Sequence, residues 1–241
     1  MRPASPHRPA LPGRHGRIDE IVLLWPVSVE EQRVTDMADM SEWERLQGLV
    51  QAPTGPDVSV DWARMSESWG TEFPRDYRHF VERYGSGTLQ SCLVIEEPEP
   101  GGGRPTSAFG GMLHETANAE EAWVSARKPP EWAGPAPVLI AWGADSSADI
   151  LCWDASGDDP DTWPVLVYNR DDGEWGRYNC GMVEFLSRLL RADFDDCPLG
   201  DLSLWGRWSV TFLTEREQQR LLKAGLDPWT GEPDPYAGMF G

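Results

Sequence analysis

Nine carboxylates stand close together past the middle of this sequence: Asp145, Asp149, Asp154, Asp158, Asp159, Asp161, Asp171, Asp172 and Glu174. Brought together by a fold, such side chains can bind a hard cation, share a proton in acid–base catalysis, or draw in a basic macromolecule. The cation reading needs the alternating order of an EF-hand loop, and Asp154-x-x-x-Asp158-Asp159-x-Asp161 does not have it. The catalytic reading needs one selected pair, and the spacing selects none. The third reading asks only that the turns carrying these residues emerge on one edge of a sheet. On that condition Asp145, Asp149, Asp158, Asp159, Asp161, Asp171, Asp172 and Glu174 form a negative docking patch for a Lys- and Arg-lined cleft, against the alternative of solvated turn residues.

Other chemistry finds little support. There is no G-x-S-x-G elbow, and His7, His15, His79 and His114 have no partner that the sequence reveals. Gly101-Gly102-Gly103 leads into Arg104-Pro105, where a phosphate loop would open a helix, so it reads as a mobile loop. Cys92, Cys152, Cys180 and Cys197 include no C-x-x-C pair and no His at ligand spacing, which fits free thiols in a reducing compartment. No catalytic residue, metal or cofactor is expected.

The net charge of −19 is unevenly placed. Residues 1–37 are neutral, with five Arg against five acids, whereas the chain from Ala38 onward holds 16 basic and 35 acidic side chains. Such a surface repels phosphate backbones and anionic lipid, so a protein partner is expected and nucleic acid or membrane is not. No run of 18 apolar residues occurs. The Arg-rich start imitates a signal peptide, but Asp19 and Glu20 interrupt it and Pro26 cuts its apolar run short. Residues 1–36 are Pro- and Arg-rich and lack any period, which leads us to expect a disordered leader and a native start at Met37 or Met40.

The elements that must position these residues are readable from period and punctuation. Ser41-Glu42-Trp43-Glu44 is a capping box opening a helix. A second helix is expected from about Ser59, with Trp62, Met65 and Trp69 on one stripe. A third begins with Pro74 at its first position, buries Tyr77, Phe80, Val81 and Tyr84, and stops at Gly85. Residues 89–97 read as one strand and residues 115–127 as a helix stopped by Pro129 and Pro130. Strands are expected at 138–142, 148–154, 163–169 and 174–178, the last pair closed by Asp171-Asp172-Gly173. An amphipathic helix through Met182, Phe185, Leu186 and Leu189 follows, then a strand at 208–213 and a capping box at Thr214 and Glu217 opening a short helix. A Gly/Pro tail runs from about Asp227. The order implies an α+β fold, a mainly antiparallel sheet with helices packed against one face.

Several of these pieces form a pattern. Asp61-Trp62 through Trp69-Gly70, Phe73-Pro74-Arg75-Asp76-Tyr77, Phe80 and Tyr84-Gly85-Ser86-Gly87 come first. Ile140-Ala141-Trp142-Gly143, Ile150-Leu151-Cys152-Trp153, Trp163-Pro164-Val165 and the run from Cys180-Gly181-Met182 to Phe185-Leu186 follow in order. Together they resemble the SUKH superfamily over residues 59–212. The resemblance implies a single α+β domain of the kind found among bacterial polymorphic-toxin immunity proteins and in a fungal regulator of cell-wall synthesis. The resulting layout is a leader at 1–36, a SUKH-like domain at 37–213, and a short helix with a Gly/Pro tail at 214–241. The expected function is to bind and neutralise a cognate basic toxin domain, of which nucleases are one class, in the cytoplasm and without catalysis. The alternatives are a regulatory scaffold of the cell-wall regulator type and a small carboxylate-dependent hydrolase.

Overall fold

The computed structural model describes residues 41–56, 59–100, 110–126, 128, 132 and 134–234, all within one compact unit, Met40–Gly241. The expected leader at 1–36 with its alternative starts, the Gly101–Gly103 loop, Pro129 and Pro130, and residues 235–241 lie outside the described residues.

Helix α1 (Glu42–Leu49) opens on the expected box, with Ser41 N donating to the Glu44 carboxylate at 2.8 Å and Glu44 N to Ser41 Oγ at 3.3 Å. It runs straight into β1 (Val50–Gln51). Helix α2 (Trp62–Trp69) starts later than Ser59, because the Asp61 carboxylate takes the free N–H of Arg64 and so fixes the N-terminus. In α3 (Arg75–Tyr84) Pro74 is the cap itself, one position outside the helix, and all four predicted stripe residues are buried. The expected strand at 89–97 is instead a hairpin of β2 (Gly87–Leu89) and β3 (Leu93–Ile95). Gln90 and Ser91 turn the chain at φ 47° and 55°. A left-handed turn made without Gly or Asn leaves no punctuation in the sequence.

Helix α4 (Met112–Ser125) begins three residues before Glu115. Strands β4 (Leu139–Asp145), β5 (Ile150–Asp154), β6 (Val165–Asn169) and β7 (Glu174–Tyr178) form the expected meander, β6 and β7 pairing antiparallel across the Asp-Asp-Gly turn. Helix α5 (Met182–Arg191), β8 (Val210–Thr214) and α6 (Glu215–Lys223) complete the described elements. At α6 half of the expected box forms, since Thr214 accepts from Glu217 N while the Glu217 carboxylate turns to Arg220. The eight strands make one sheet in the order β1-β8-β2-β3-β4-β5-β6-β7, antiparallel apart from the β1–β8 pair. Among the described residues no helix is long and apolar enough to cross a membrane.

The fold is therefore α+β with a single, mainly antiparallel sheet, but its helices are not confined to one face. Helices α1, α3 and α5 build the larger core, where Tyr77 meets Trp153 at 4.9 Å between ring centres and Phe80 meets Phe212 at 5.6 Å. Helix α4 covers the other face, setting Ala119 and Trp123 against Leu139, Ala141, Ile150, Cys152, Leu166 and Trp175. The reason is present in the strands: Leu139-Ile140-Ala141-Trp142, Ile150-Leu151-Cys152-Trp153 and Val165-Leu166-Val167 are apolar on both sides of the pleat, so each side needs a cover.

Both α4 and α5 start at a glycine with no side chain to cap the helix. Each takes a carboxylate from elsewhere in the chain. The Glu99 carboxylate, 2% exposed, accepts from Met112 N at 3.1 Å and Leu113 N at 3.3 Å. The Asp76 carboxylate accepts from Val183 N at 3.0 Å and from Tyr77 N at 2.7 Å. A side chain at either cap would crowd the carboxylate that caps the helix, because a Cβ at Gly111 would stand 2.5 Å from Glu99 Oε1 and one at Gly181 2.6 Å from Asp76 Oδ2. Burial raises the Asp76 carboxyl above its usual range, while the Val183 and Tyr77 N–H groups oppose the shift. Replacing Glu99 or Asp76 by Ala is expected to lower stability by about 1–3 kcal/mol, more than the roughly 1 kcal/mol of Ser41→Ala at an exposed cap. Urea denaturation followed by Trp fluorescence checks the order; equal midpoints for all three variants would remove the role given to the two distant caps.

Candidate functional site

The carboxylates picked out in the sequence divide between two ends of the sheet. The register sets Ala144 opposite Ile150, Ile150 opposite Tyr168 and Asn169 opposite Glu174, so the β4–β5 and β6–β7 turns emerge together. At the other end Leu139 faces Asp154 and Trp153 faces Val165, and the β5–β6 connection leaves there. Asp145, Asp149, Asp171, Asp172 and Glu174 are thus brought to one end, and Asp158, Asp159 and Asp161 to the opposite one. The single-edge patch does not form, because successive turns of an antiparallel meander alternate ends.

At the far end Asp158 is exposed, and Asp159 caps the short 3-10 turn Pro160–Thr162 by accepting from Asp161 N at 3.1 Å. Asp161 accepts from Arg75 N at 2.7 Å and pairs with the Arg75 guanidinium. Slight burial works against it, but the two Arg75 hydrogen bonds hold its carboxyl below the usual range. Asp154 pairs with Arg177 at 2.8 Å.

At the near end Asp149 is a structural residue. Its side chain is 0% exposed, Oδ1 accepting from Arg170 N at 2.7 Å and Oδ2 from Gly200 N at 2.6 Å. It stitches three chain segments together and leaves no atom for a partner, which corrects its expected contact role. Asp145 accepts from Ser147 N and Asp149 N, both at 2.9 Å, through Oδ1. Its Oδ2 is buried without a hydrogen-bond partner. Burial, and then the negative charges of Asp149 and Asp201, push its carboxyl up to about 6. Asp201, which the sequence reading passed over, accepts from Ser146 Oγ at 2.6 Å and Ser203 N at 2.7 Å; those bonds hold its carboxyl at about 2. Asp171, Asp172 and Glu174 are exposed.

The concave feature beside this end lies on the second face of the sheet. Helix α4 covers only part of that face, and a groove of about 1000 Å³ remains. Paired residues put Thr88, Val94, Ala144, Ile150 and Tyr168 in one row across β2 to β6, all of them lining the groove. Val94 and Ala144 are only half-buried although they lie on central strands. One wall is α4 with Glu115, Asn118, Glu121, Ala122 and Ser125. The other is Gln218 of α6, bonded to Thr88 Oγ1 at 3.1 Å, together with Trp229. Trp229 is held there by a turn in which Asp227 accepts from Trp229 N and Thr230 N. Glu96, Glu115, Glu121 and Asp145 line the groove, and Arg170 is the cation among the described lining residues.

Sequence reasoning missed Glu96, Glu115 and Glu121 because it weighed acids by local density in turns. One signal was available: Glu115, Asn118, Ala122 and Ser125 recur at helical spacing beside the buried Ala119, marking a second face of α4.

Nucleophilic chemistry gains nothing from the arrangement. His79 stacks on Trp43 at 4.0 Å, and burial pushes the Cys92 and Cys180 thiols up to about 12, far from thiolate. Among the described residues no group of three or more His, Cys, Asp or Glu is placed to hold a metal ion. No family model matches the chain, and no curated protein or solved structure matches it.

The raised Asp145 carboxyl gives a test. An aspartate in an unfolded chain titrates near 3.9, so the folded state binds this proton more tightly, and the stability the proton supplies is complete below about pH 4 and lost as pH rises through about 6. Asp145→Asn lacks that titration. Its urea midpoint should exceed that of the parent chain at about pH 8 and converge on it below about pH 4; a gap that stays constant across this range would contradict the assignment.

Proposed function

We propose that this protein is a non-enzymatic, immunity-type binder of the SUKH kind, which captures and silences a basic toxin domain in the cytoplasm. One observation carries the reading: an open groove on a central part of the sheet has an apolar floor and, among its described lining residues, four carboxylates against one arginine. Tight protein interfaces combine an apolar or aromatic centre with a polar rim, and complementary charge speeds encounter with the right partner. The floor of Val94, Ala144, Ile150 and Tyr168 with Trp229 beside it supplies the first, and Glu115 and Glu121 on α4 supply the second. A nuclease must hold phosphates with Lys and Arg, so it is a partner class for which an acidic receptor is complementary.

A carboxylate-dependent hydrolase is less well supported. It would need a pair of carboxylates with free oxygens facing one cavity. The Asp145–Asp149 pair does not supply one, because both Asp149 oxygens accept from backbone N–H groups.

Co-expression of the chain with any candidate toxin domain found in its gene neighbourhood is the direct test. Colonies should survive induction of the toxin when this chain is present and die when it is absent. Equal killing in both cases would sink the toxin reading.

A further inference from the structure

We infer that the groove is a berth for a basic amphipathic helix of the partner, lying against the sheet beside α4. The inference rests on the protein-binding reading and specifies which surface is used and what fills it.

The shape of the floor argues for a helix. It is the face of β2 to β6, strands whose backbone groups are already paired with their neighbours in the sheet. A partner strand laid on that face would find side chains and no backbone donors or acceptors, and its own N–H and C=O groups would be buried unpaired. Strand addition works at sheet edges, not on faces. A helix satisfies its backbone internally and needs only an apolar stripe to cover the floor, which is how α4 already covers the neighbouring part of the same face.

The dimensions agree. The row from Thr88 to Tyr168 crosses five adjacent strands, roughly 19 Å at the usual spacing. The α4 wall from Glu115 to Ser125 spans roughly 15 Å. A helix of three to four turns therefore matches the space, and the small side chains Ala122, Ser125 and Ala144 let its axis approach closely.

Charge selects a basic occupant. Glu115 and Glu121 stand along the wall that a second helix would contact, with Glu96 and Asp145 also in the lining. Lys and Arg flanking an apolar stripe would meet these carboxylates while their methylene stems extend the buried apolar area. An acidic helix of equal hydrophobicity would face like charge along its length.

The test uses the full chain and a synthetic probe, a Lys/Leu/Ala peptide of about 14 residues with Leu at helical spacing. A second peptide has the same charge and carries a central Pro, which breaks the helix. Two double variants receive the same charge change: Glu115→Lys with Glu121→Lys in the groove, and Asp171→Lys with Asp172→Lys in the exposed turn. The groove pair should weaken binding of the helical peptide by about tenfold or more, the turn pair by less than about threefold, and the Pro peptide should bind the parent chain far more weakly. Circular dichroism of each variant confirms that it is folded.

Equal weakening by the two pairs, equal affinity for both peptides, or no measurable binding of the helical peptide would overturn the inference. So would a dimer in sedimentation that the groove pair dissolves, which would make a second copy the occupant. The toxin reading fails separately: peptide binding in the groove without protection in co-expression removes the toxin and keeps the berth. Protection that survives the groove pair removes the berth and keeps the toxin.

Discussion

Two borrowed caps hold the layers of this fold in place. A helix that starts at glycine leaves its first N–H groups without a local acceptor, and such groups are costly to bury. Asp76, at the start of α3, supplies the acceptor for α5 on one face of the sheet, and Glu99 supplies it for α4 on the other. The two are coupled through one stretch of chain, since the Tyr77 hydroxyl donates to Glu96 O at 2.6 Å and Trp69 Nε1 to Glu99 O at 3.1 Å. Residues 96–99 therefore set the position of helices on both sides of the sheet. The Phe-Pro-x-Asp-Tyr and Cys-Gly-Met sequences meet at this junction, so their residues act structurally before any partner is considered.

The placement of α4 determines what remains open. Cap and floor contacts hold it over β4 and β5, leaving Val94 and Ala144 only half covered. Incompletely covered apolar positions on central strands weaken a fold that could have been closed, and in stable proteins such concessions cluster at binding surfaces. The acidic residues beside the groove have the same character. Asp145, Asp149 and Asp201 repel one another, and the raised Asp145 carboxyl records that repulsion together with burial. Asp149 is held there because three chain segments depend on its two backbone hydrogen bonds, so part of the negative potential near the groove comes from a residue that does structural work.

Much of the molecule was readable in the residues alone. The Ser41 box, the stripe Tyr77, Phe80, Val81 and Tyr84, the Asp-Asp-Gly turn and the helix through Phe185 and Leu189 are all local, depending on neighbours within a few positions. Helical and strand periods follow from backbone geometry, and a cap needs an acceptor only three residues away. The α+β class with an antiparallel meander followed from those elements in order.

What the sequence could not decide by itself was every feature that depends on groups far apart along the chain. The start of α4 needed Glu99, thirteen positions before Met112, and the hairpin at Gln90-Ser91 needed its strands to be captured by β8 and β4. The carboxylates that look like one cluster between 145 and 174 are parted because an antiparallel strand carries its two ends to opposite sides of the sheet. Conversely, Glu96, Glu115 and Asp145, distant in sequence, are gathered by a helix packing across strands. Composition and spacing determined that the protein is acidic and which segments fold. Only the tertiary packing decided where that charge is concentrated, because the potential at a surface is a sum over distances in space.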